Sequence, residues 1–361
     1  MHIVHYTPAD RFPIVGYGGT SRVAQWLGKA QAEMGHRVTY ICKRGSSLPF
    51  AETVDAPENF HVLSDLTPFI PPKTDIVQLY DVFPTSNLQT LDEQKLSSLS
   101  INMPRFKLDY PFLVSVHGNG KASEAFHPCT VFVSSNHAAR HNWTEYVHNG
   151  LEISEYPFKG EKERFLLFLA KAGWSVKNLP GAISIANKAK IPLHMGGGKA
   201  PFWSRGVVSH GTVDGQEKLN LLQNAQALLF PIIWDEPFGI VLIEALACGT
   251  PIIATPRGSL PEIVDYSCGI LGNSFDELVE AIEKIKIIDP EACRDRVFRN
   301  FTHIHMAEKY LYYYSNILKN GRLREGYPIA PEKSAKYNLY HQPIHHLFMN
   351  NLAALYLKLF K

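Results

Sequence analysis

The stretch "ALLFPIIWDEPFGIVLIEALACGTPIIATPRG", residues 227 to 258, holds the pattern on which the reading of the whole chain turns. "ALLFPI" is a short, continuously apolar run of the kind that forms a strand buried on both faces. "IWDEP" is a loop, and "FGIVLIEALACG" reads as a helix that stops at Gly249, with Pro251 just beyond. Glu236 falls in the loop before the helix, and Glu244 slightly more than one turn inside it. The N–H groups of Phe238, Gly239 and Ile240 are then the unpaired donors of a helix start, a natural seat for phosphate or hydroxyl oxygens. Acids repel an anion, so the two glutamates are better suited to sugar hydroxyls. The competing reading makes Glu236 an acid that complements the helix dipole and Glu244 a residue of an exposed face.

The same habit extends in both directions. "HIVHYT", "RVTYICK", "DIVQLYD", "PFLVSVHG" and "TVFVSS" read as strands in the first half; "RFLLFLA", "IPLHMGG", "GVVSHG" and "PIIAT" repeat the pattern in the second. Apolar runs alternating with helical-length segments indicate an α/β protein with mainly parallel sheets covered by helices. The alternation pauses in the polar interval "NWTEYVHNGLEISEYPFKGEKE", residues 142 to 163, where two α/β units join. The expected domains are residues 1–155, 156–320 and a tail, 321–361.

At 361 residues the chain has the length of about two domains, with 45% apolar residues, 19% charged residues and a net charge of +2. That balance excludes a disordered chain and gives no basic excess of nucleic-acid size, so a bound anion must be met locally. Five cysteines, widely spaced and never C-x-x-C, argue against a zinc site or a disulfide framework and suit a reducing compartment. With no signal-peptide core and no run of membrane-spanning length, the expected location is cytoplasmic.

At this level of detail the chain resembles the retaining, nucleotide-sugar-dependent glycosyltransferases of family 4. The resemblance is carried by the acids of Glu236 and Glu244 with seven residues between them, by "ACGTPIIA" and by "GSLPEIV" (258–264). It extends to "VHNGLEISEYPF", "LLFLAKAGWSVKNLPGAISIANKAKIPLHMGGG" and "CRDRVFRNFTHIHMAEKYLYYY", covering the second half well and the first half thinly. It implies the GT-B fold of two facing Rossmann-like domains, to which the last forty residues add a C-terminal helical tail that departs from the domain pattern. It also implies that Glu244 binds the ribose of the donor, Glu236 faces the transferred sugar, and amides at Phe238, Gly239 and Ile240 contact sugar hydroxyls or phosphate.

Cations for the diphosphate are expected after "RFLLFLA", where family members carry Gly-Arg and then Lys-Gly. This chain has Ala170-Lys171 and Lys177-Asn178, so Lys171 replaces a forked guanidinium by a point charge. In the first domain "GYGGTSRVAQWLGKAQAEMGHRV" resembles the glycine-rich turn over donor phosphate, with Gly18 and Gly19 admitting close backbone approach. His117, closing a strand before Gly118, matches a histidine near the donor sugar. A dehydrogenase reading of the glycine loop is weak, because "RVTYICKRG" ends in bases where such enzymes place an acid. "HMGGGKA" fails the spacing of a phosphate loop.

The implied activity is transfer of a hexosyl group from a UDP-sugar, or secondarily GDP-mannose, to a glycan, lipid-linked or small-molecule acceptor with retention. Family members need no bound metal or other cofactor, and no Asp-x-Asp motif stands here. The alternatives are a binding protein that keeps the donor pocket without turnover, and a sugar-nucleotide epimerase. In the tail, "PIHHLFMNNLAALYLKLFK" spaces Ile344, Leu347, Phe348, Leu352, Leu355 and Leu359 along one helical face. That face is expected to pack on the first domain, with a dimer contact or a peripheral membrane attachment as alternatives.

Overall fold

The computed structural model describes residues 1–16, 18–60, 65–81, 83–84, 105–200 and 204–332. They form two compact units, one of residues 1–151 together with the described residues from Phe301 onward, the other Glu152–Asn300. The amphipathic segment expected at residues 344 to 359 lies outside the described residues, as does most of "DVFPTSNLQ".

The first unit runs β1 (His2–Thr7), α1 (Gly19–Glu33), β2 (Arg37–Cys42), β3 (Glu52–Asp55), β4 (Ile76–Tyr80), β5 (Phe83–Pro84), β6 (Arg105–Phe106), β7 (Phe112–Val116), β8 (Thr130–Phe132) and α2 (Ser135–Arg140). Six of these strands form a parallel sheet in the order β3-β2-β1-β4-β7-β8, while β5 and β6 pair separately. All six residues of β1 are buried, as a central strand covered on both faces requires.

The second unit comprises β9 (Glu163–Leu169), α3 (Leu179–Ala189), β10 (Leu193–Gly196), β11 (Val207–Ser209), α4 (Gly215–Asn224), β12 (Ala225–Phe230), α5 (Ile240–Ala247), β13 (Ile252–Ala254), α6 (Leu260–Ile263), β14 (Gly269–Leu271), α7 (Phe275–Lys284) and α8 (Pro290–Asn300). Its parallel sheet has the order β11-β10-β9-β12-β13-β14, the same winding as the first. Because side chains alternate along a strand, Leu166 and Phe168, Leu193 and Met195, and Ala227 and Leu229 share one face. They form one core with Ile183 and Ala186 of α3 and Leu278 and Ile282 of α7. Each such buried aliphatic side chain contributes about 1.5–3 kcal/mol of transfer free energy.

Both sheets reverse direction of winding between their first and fourth strands, β1 and β4 in one and β9 and β12 in the other. Ligands of doubly wound sheets lie beyond the carboxyl ends of the strands at this reversal, where neighbouring loops part in opposite directions. In the second unit those loops are residues 170–178 and 231–239.

The last described helix, α9 (His303–Asn320), differs from expectation. The sequence places it at the close of the second domain, but it belongs with the first unit, packed on α1. Its buried residues Met306, Tyr310, Tyr313, Tyr314 and Ile317 recur at helical spacing, and a polar seam fixes where they dock. Tyr314 Oη donates to Gln78 Oε1 at 2.8 Å and accepts from Gln31 Nε2 at 3.3 Å. Gln31 Oε1 is 2.7 Å from His5 Nε2, and Gln78 Nε2 donates to Ser115 Oγ at 3.1 Å. Beyond the helix, Phe126 N donates to Pro328 O and Ala330 N to Glu124 O, at 2.9 and 2.7 Å, so this stretch also docks on the first unit.

Candidate active site

The loop after β12 is shaped by the loop after β13. Thr255 Oγ1 donates to Ile232 O at 2.8 Å, Ser259 N to Glu236 O at 3.0 Å, and Ser259 Oγ to Phe238 O at 2.7 Å. Gly258 makes this approach possible: its φ is +60°, and a Cβ there would stand 2.3 Å from Glu236 O. Glu236 is thereby held in the loop with only 7% of its surface exposed.

Its carboxylate meets two donors on one oxygen. Trp234 Nε1 donates to Glu236 Oε2 at 2.7 Å, and Lys177 Nζ to the same oxygen at 2.5 Å. Lys177 closes the 3-10 turn Ser175–Lys177 after β9, and its ammonium also lies over the rings of Phe230 and Trp234, 5.1 and 4.9 Å from their centroids. The turn is tied across the sheet reversal: Ile233 N donates to Val176 O at 2.9 Å and Asn178 Nδ2 to Pro231 O at 2.9 Å. Asn178, left-handed at φ 57°, also accepts from Gly181 N at 3.1 Å and so caps α3. The site therefore joins Lys177 and Glu236, which the sequence resemblance assigns to phosphate and sugar respectively.

Glu244 lies one turn inside α5 and is 2% exposed. Its Oε1 accepts from Tyr156 Oη at 2.7 Å and from Lys218 Nζ of α4 at 2.6 Å. The exposed-face reading of Glu244 is thus excluded. Tyr156 is anchored in turn, its carbonyl accepting from Arg294 Nη1 of α8 at 2.7 Å. Neither Tyr156 nor Lys218 carries a role in the sequence reading. Lys218 had a signal, since it stands three and four residues before the buried Leu221 and Leu222 and so shares their face of α4.

The helix start falls slightly later than expected. Gly239 is the left-handed N-cap of α5, with φ 85°, and Leu242 N donates back to Gly239 O at 2.9 Å. Gly239, Ile240 and Val241 are partly exposed at this helix start, where the first N–H groups lack the acceptor four residues back that the helix interior supplies. Lys171 is exposed, its ammonium 5.2 Å from the centroid of Trp174, which meets Trp234 edge-on at 6.3 Å. The end of β10 runs beside that loop, with Ala172 N donating to Gly197 O at 2.9 Å.

The remaining predicted residues belong to the first unit. Gly18 is the N-cap of α1 and Gly19 its first residue, with no side-chain cap. His117 follows β7; its N–H donates to Asp81 Oδ1 at 2.9 Å, and its Nε2 lies 3.1 Å from Ser115 Oγ, the end of the polar seam from Tyr314. Burial pushes the His117 imidazole down to about 4, so it is neutral near pH 7. Burial also pushes Asp81 up to about 6, against the amide bonds from His117 and Gly118.

Residues 204–296, which include Lys218, Glu236 and Glu244, match the family of glycosyl transferases group 1. A phosphatidyl-myo-inositol mannosyltransferase of Propionibacterium freudenreichii is 24% identical over 141 residues, 36% of this chain and 37% of that protein. The chain spans about a third of the length of the curated relatives it matches. Among solved structures, AviGT4, a glycosyltransferase involved in avilamycin A biosynthesis, aligns with a TM-score of 0.66 and 21% identity over 88% of this chain and 98% of that one. Anabaena HepE in complex with UDP and glucose aligns with a TM-score of 0.55 and 14% identity over 88% and 100%. At these identities the likeness establishes the fold, which is the GT-B class built from two Rossmann-like units.

Proposed function

We propose that the chain is a glycosyltransferase that moves a hexosyl group from a nucleotide sugar, a UDP-sugar before GDP-mannose, to a glycan, lipid-linked or small-molecule acceptor with retention of configuration. The observation that carries this reading is the pair Glu236 and Glu244, both nearly inaccessible, each paired with a lysine, and both at the start of α5 beside the sheet reversal. An isolated anion site would repel its ligand with two such acids, whereas a ligand with phosphates between two polyhydroxylated rings uses acids and donors alike. Fold and relatives support the same reading: HepE was solved with UDP and glucose, and the partial relatives include a mannosyltransferase.

In this reading Glu244 accepts from the ribose hydroxyls and Glu236 from the transferred sugar. Lys177, which keeps two further N–H donors beyond the one given to Glu236, reaches the diphosphate together with Lys171 and the amides at Phe238, Gly239 and Ile240. Breaking the bond from the anomeric carbon to phosphate leaves a nucleoside diphosphate with additional negative charge, and donors already in place lower that barrier. The acceptor oxygen attacks on the face the phosphate leaves, and its proton passes to a departing phosphate oxygen. Gly18, Gly19 and neutral His117 are assigned to the donor on the sequence resemblance alone. No step requires a metal.

Titration with UDP, GDP, UDP-glucose and GDP-mannose, followed by product analysis with the donor that binds, tests the proposal. Glycosylated acceptor or slow release of free sugar supports it. Isomerised donor, or binding without turnover toward any acceptor class, replaces it with the epimerase or the binding protein.

A further inference from the structure

Glu236 and Glu244 are held by one design used twice. Each has a single oxygen occupied by an aromatic donor and a lysine: Trp234 Nε1 and Lys177 on Glu236 Oε2, Tyr156 Oη and Lys218 on Glu244 Oε1. Among the described residues no hydrogen bond reaches Glu236 Oε1 or Glu244 Oε2. The four donors come from four separate places in the second unit: the loop after β12, the turn after β9, the start of the unit and α4. A carboxylate accepts on both oxygens, and neither second oxygen is sealed in the interior, so each is open to a donor from outside the protein.

We propose that these pairs are clamps, with Trp234, Tyr156 and Lys218 as positioning residues that saturate one carboxylate oxygen and reserve the other for a hydroxyl of the ligand. The lysine places a cation against the same oxygen that the aromatic donor holds. The aromatic donor is short and stiff, so it fixes which oxygen is taken and how the carboxylate plane is turned. With the nucleotide-sugar reading on which this rests, the two clamps have separable tasks. Tyr156 and Lys218 set affinity for the nucleoside, and Trp234 sets affinity for the sugar.

The test is calorimetric titration of wild type, Tyr156→Phe and Trp234→Phe with a nucleoside diphosphate and its sugar, beginning with UDP and UDP-glucose and repeated with GDP and GDP-mannose. Tyr156→Phe is expected to weaken both ligands alike, by about tenfold, the loss of one hydrogen bond to a charged group. Trp234→Phe is expected to leave the diphosphate within about twofold and to weaken the sugar nucleotide by about tenfold. Trp234→His, which keeps a ring N–H, restores part of that loss, and Lys218→Met follows Tyr156→Phe if the latter fails to fold. Equal effects of Trp234→Phe on both ligands, or wild-type affinities in all folded variants, overturn the clamps while leaving the function standing. A wild-type protein that binds none of the four overturns the function and the clamps together.

Discussion

Lys177 and Glu236 approach to 2.5 Å with 11% and 9% of their side chains exposed, so the pair is withdrawn from water although it sits on two loops. A buried ion pair is weak evidence for stability, since desolvation offsets much of the attraction, but removing one partner leaves an uncompensated charge. Lys177→Met is therefore expected to cost about 3–5 kcal/mol in urea unfolding of the second unit. The double variant Lys177→Met with Glu236→Gln recovers most of that loss while remaining inactive. A double variant no more stable than the single one contradicts this account.

Glu244→Ala removes the proposed ribose acceptor and strands the Lys218 ammonium. It is expected to raise the dissociation constant for the nucleoside diphosphate about 10- to 100-fold, read by calorimetry. An unchanged constant in a folded variant refutes the assignment.

Gly258→Ala tests the packing of the loop that carries Glu236. A methyl group at φ +60° and 2.3 Å from Glu236 O must push the two loops apart. The left-handed backbone alone costs about 1–2 kcal/mol. Loss of activity is expected to exceed what the drop in melting temperature accounts for, because Glu236 itself is displaced.

Acid sensitivity follows from the first unit's buried histidines. His5, His117 and His141 are all pushed down to about 4 by burial, from an ordinary value of 6.5. Between these values the unfolded chain binds more protons than the folded one, so stability falls as pH is lowered from 6.5 toward 4. Asp81, pushed up to about 6 from 3.8, works in the opposite direction: its contribution is full below 3.8 and lost as pH rises through 6. Melting temperature is thus expected to fall across this window, and more steeply in Asp81→Asn. A melting temperature flat from pH 7 to pH 4 argues against it.

Tyr314→Phe leaves Gln78 Oε1 buried without its donor. Destabilisation of about 1–3 kcal/mol in urea is expected, with nucleotide affinity of the second unit unchanged.

Ten strands were legible because each is a continuous apolar run: "RFLLFLA" and "ALLFPI" announce β9 and β12 without any knowledge of their neighbours. Of the strands the sequence reading omitted, β5 and β6 are two-residue strands that pair apart from the main sheets, and β3 and β14 are edge strands. β3 is "ETVD", exposed at every residue, and only its pairing with β2 makes it a strand. The ownership of α9 was equally invisible. Its tyrosines record that it has a buried face, but the hydrogen bond from Tyr314 to Gln78, 236 residues away in the chain, decides which sheet receives it.

What the sequence determined by itself was periodicity and punctuation: two α/β units, the strand-loop-helix around Glu236 and Glu244, and the stop of α5 at Gly249. Those are local properties, set by the apolar spacing and backbone freedom of neighbouring residues. Tertiary structure alone decided the partners of the two acids, because Lys177, Tyr156 and Lys218 reach them across 59, 88 and 26 residues. Where a carboxylate finds its counter-charge depends on which loops the sheet order brings together, and that order is a property of the folded chain.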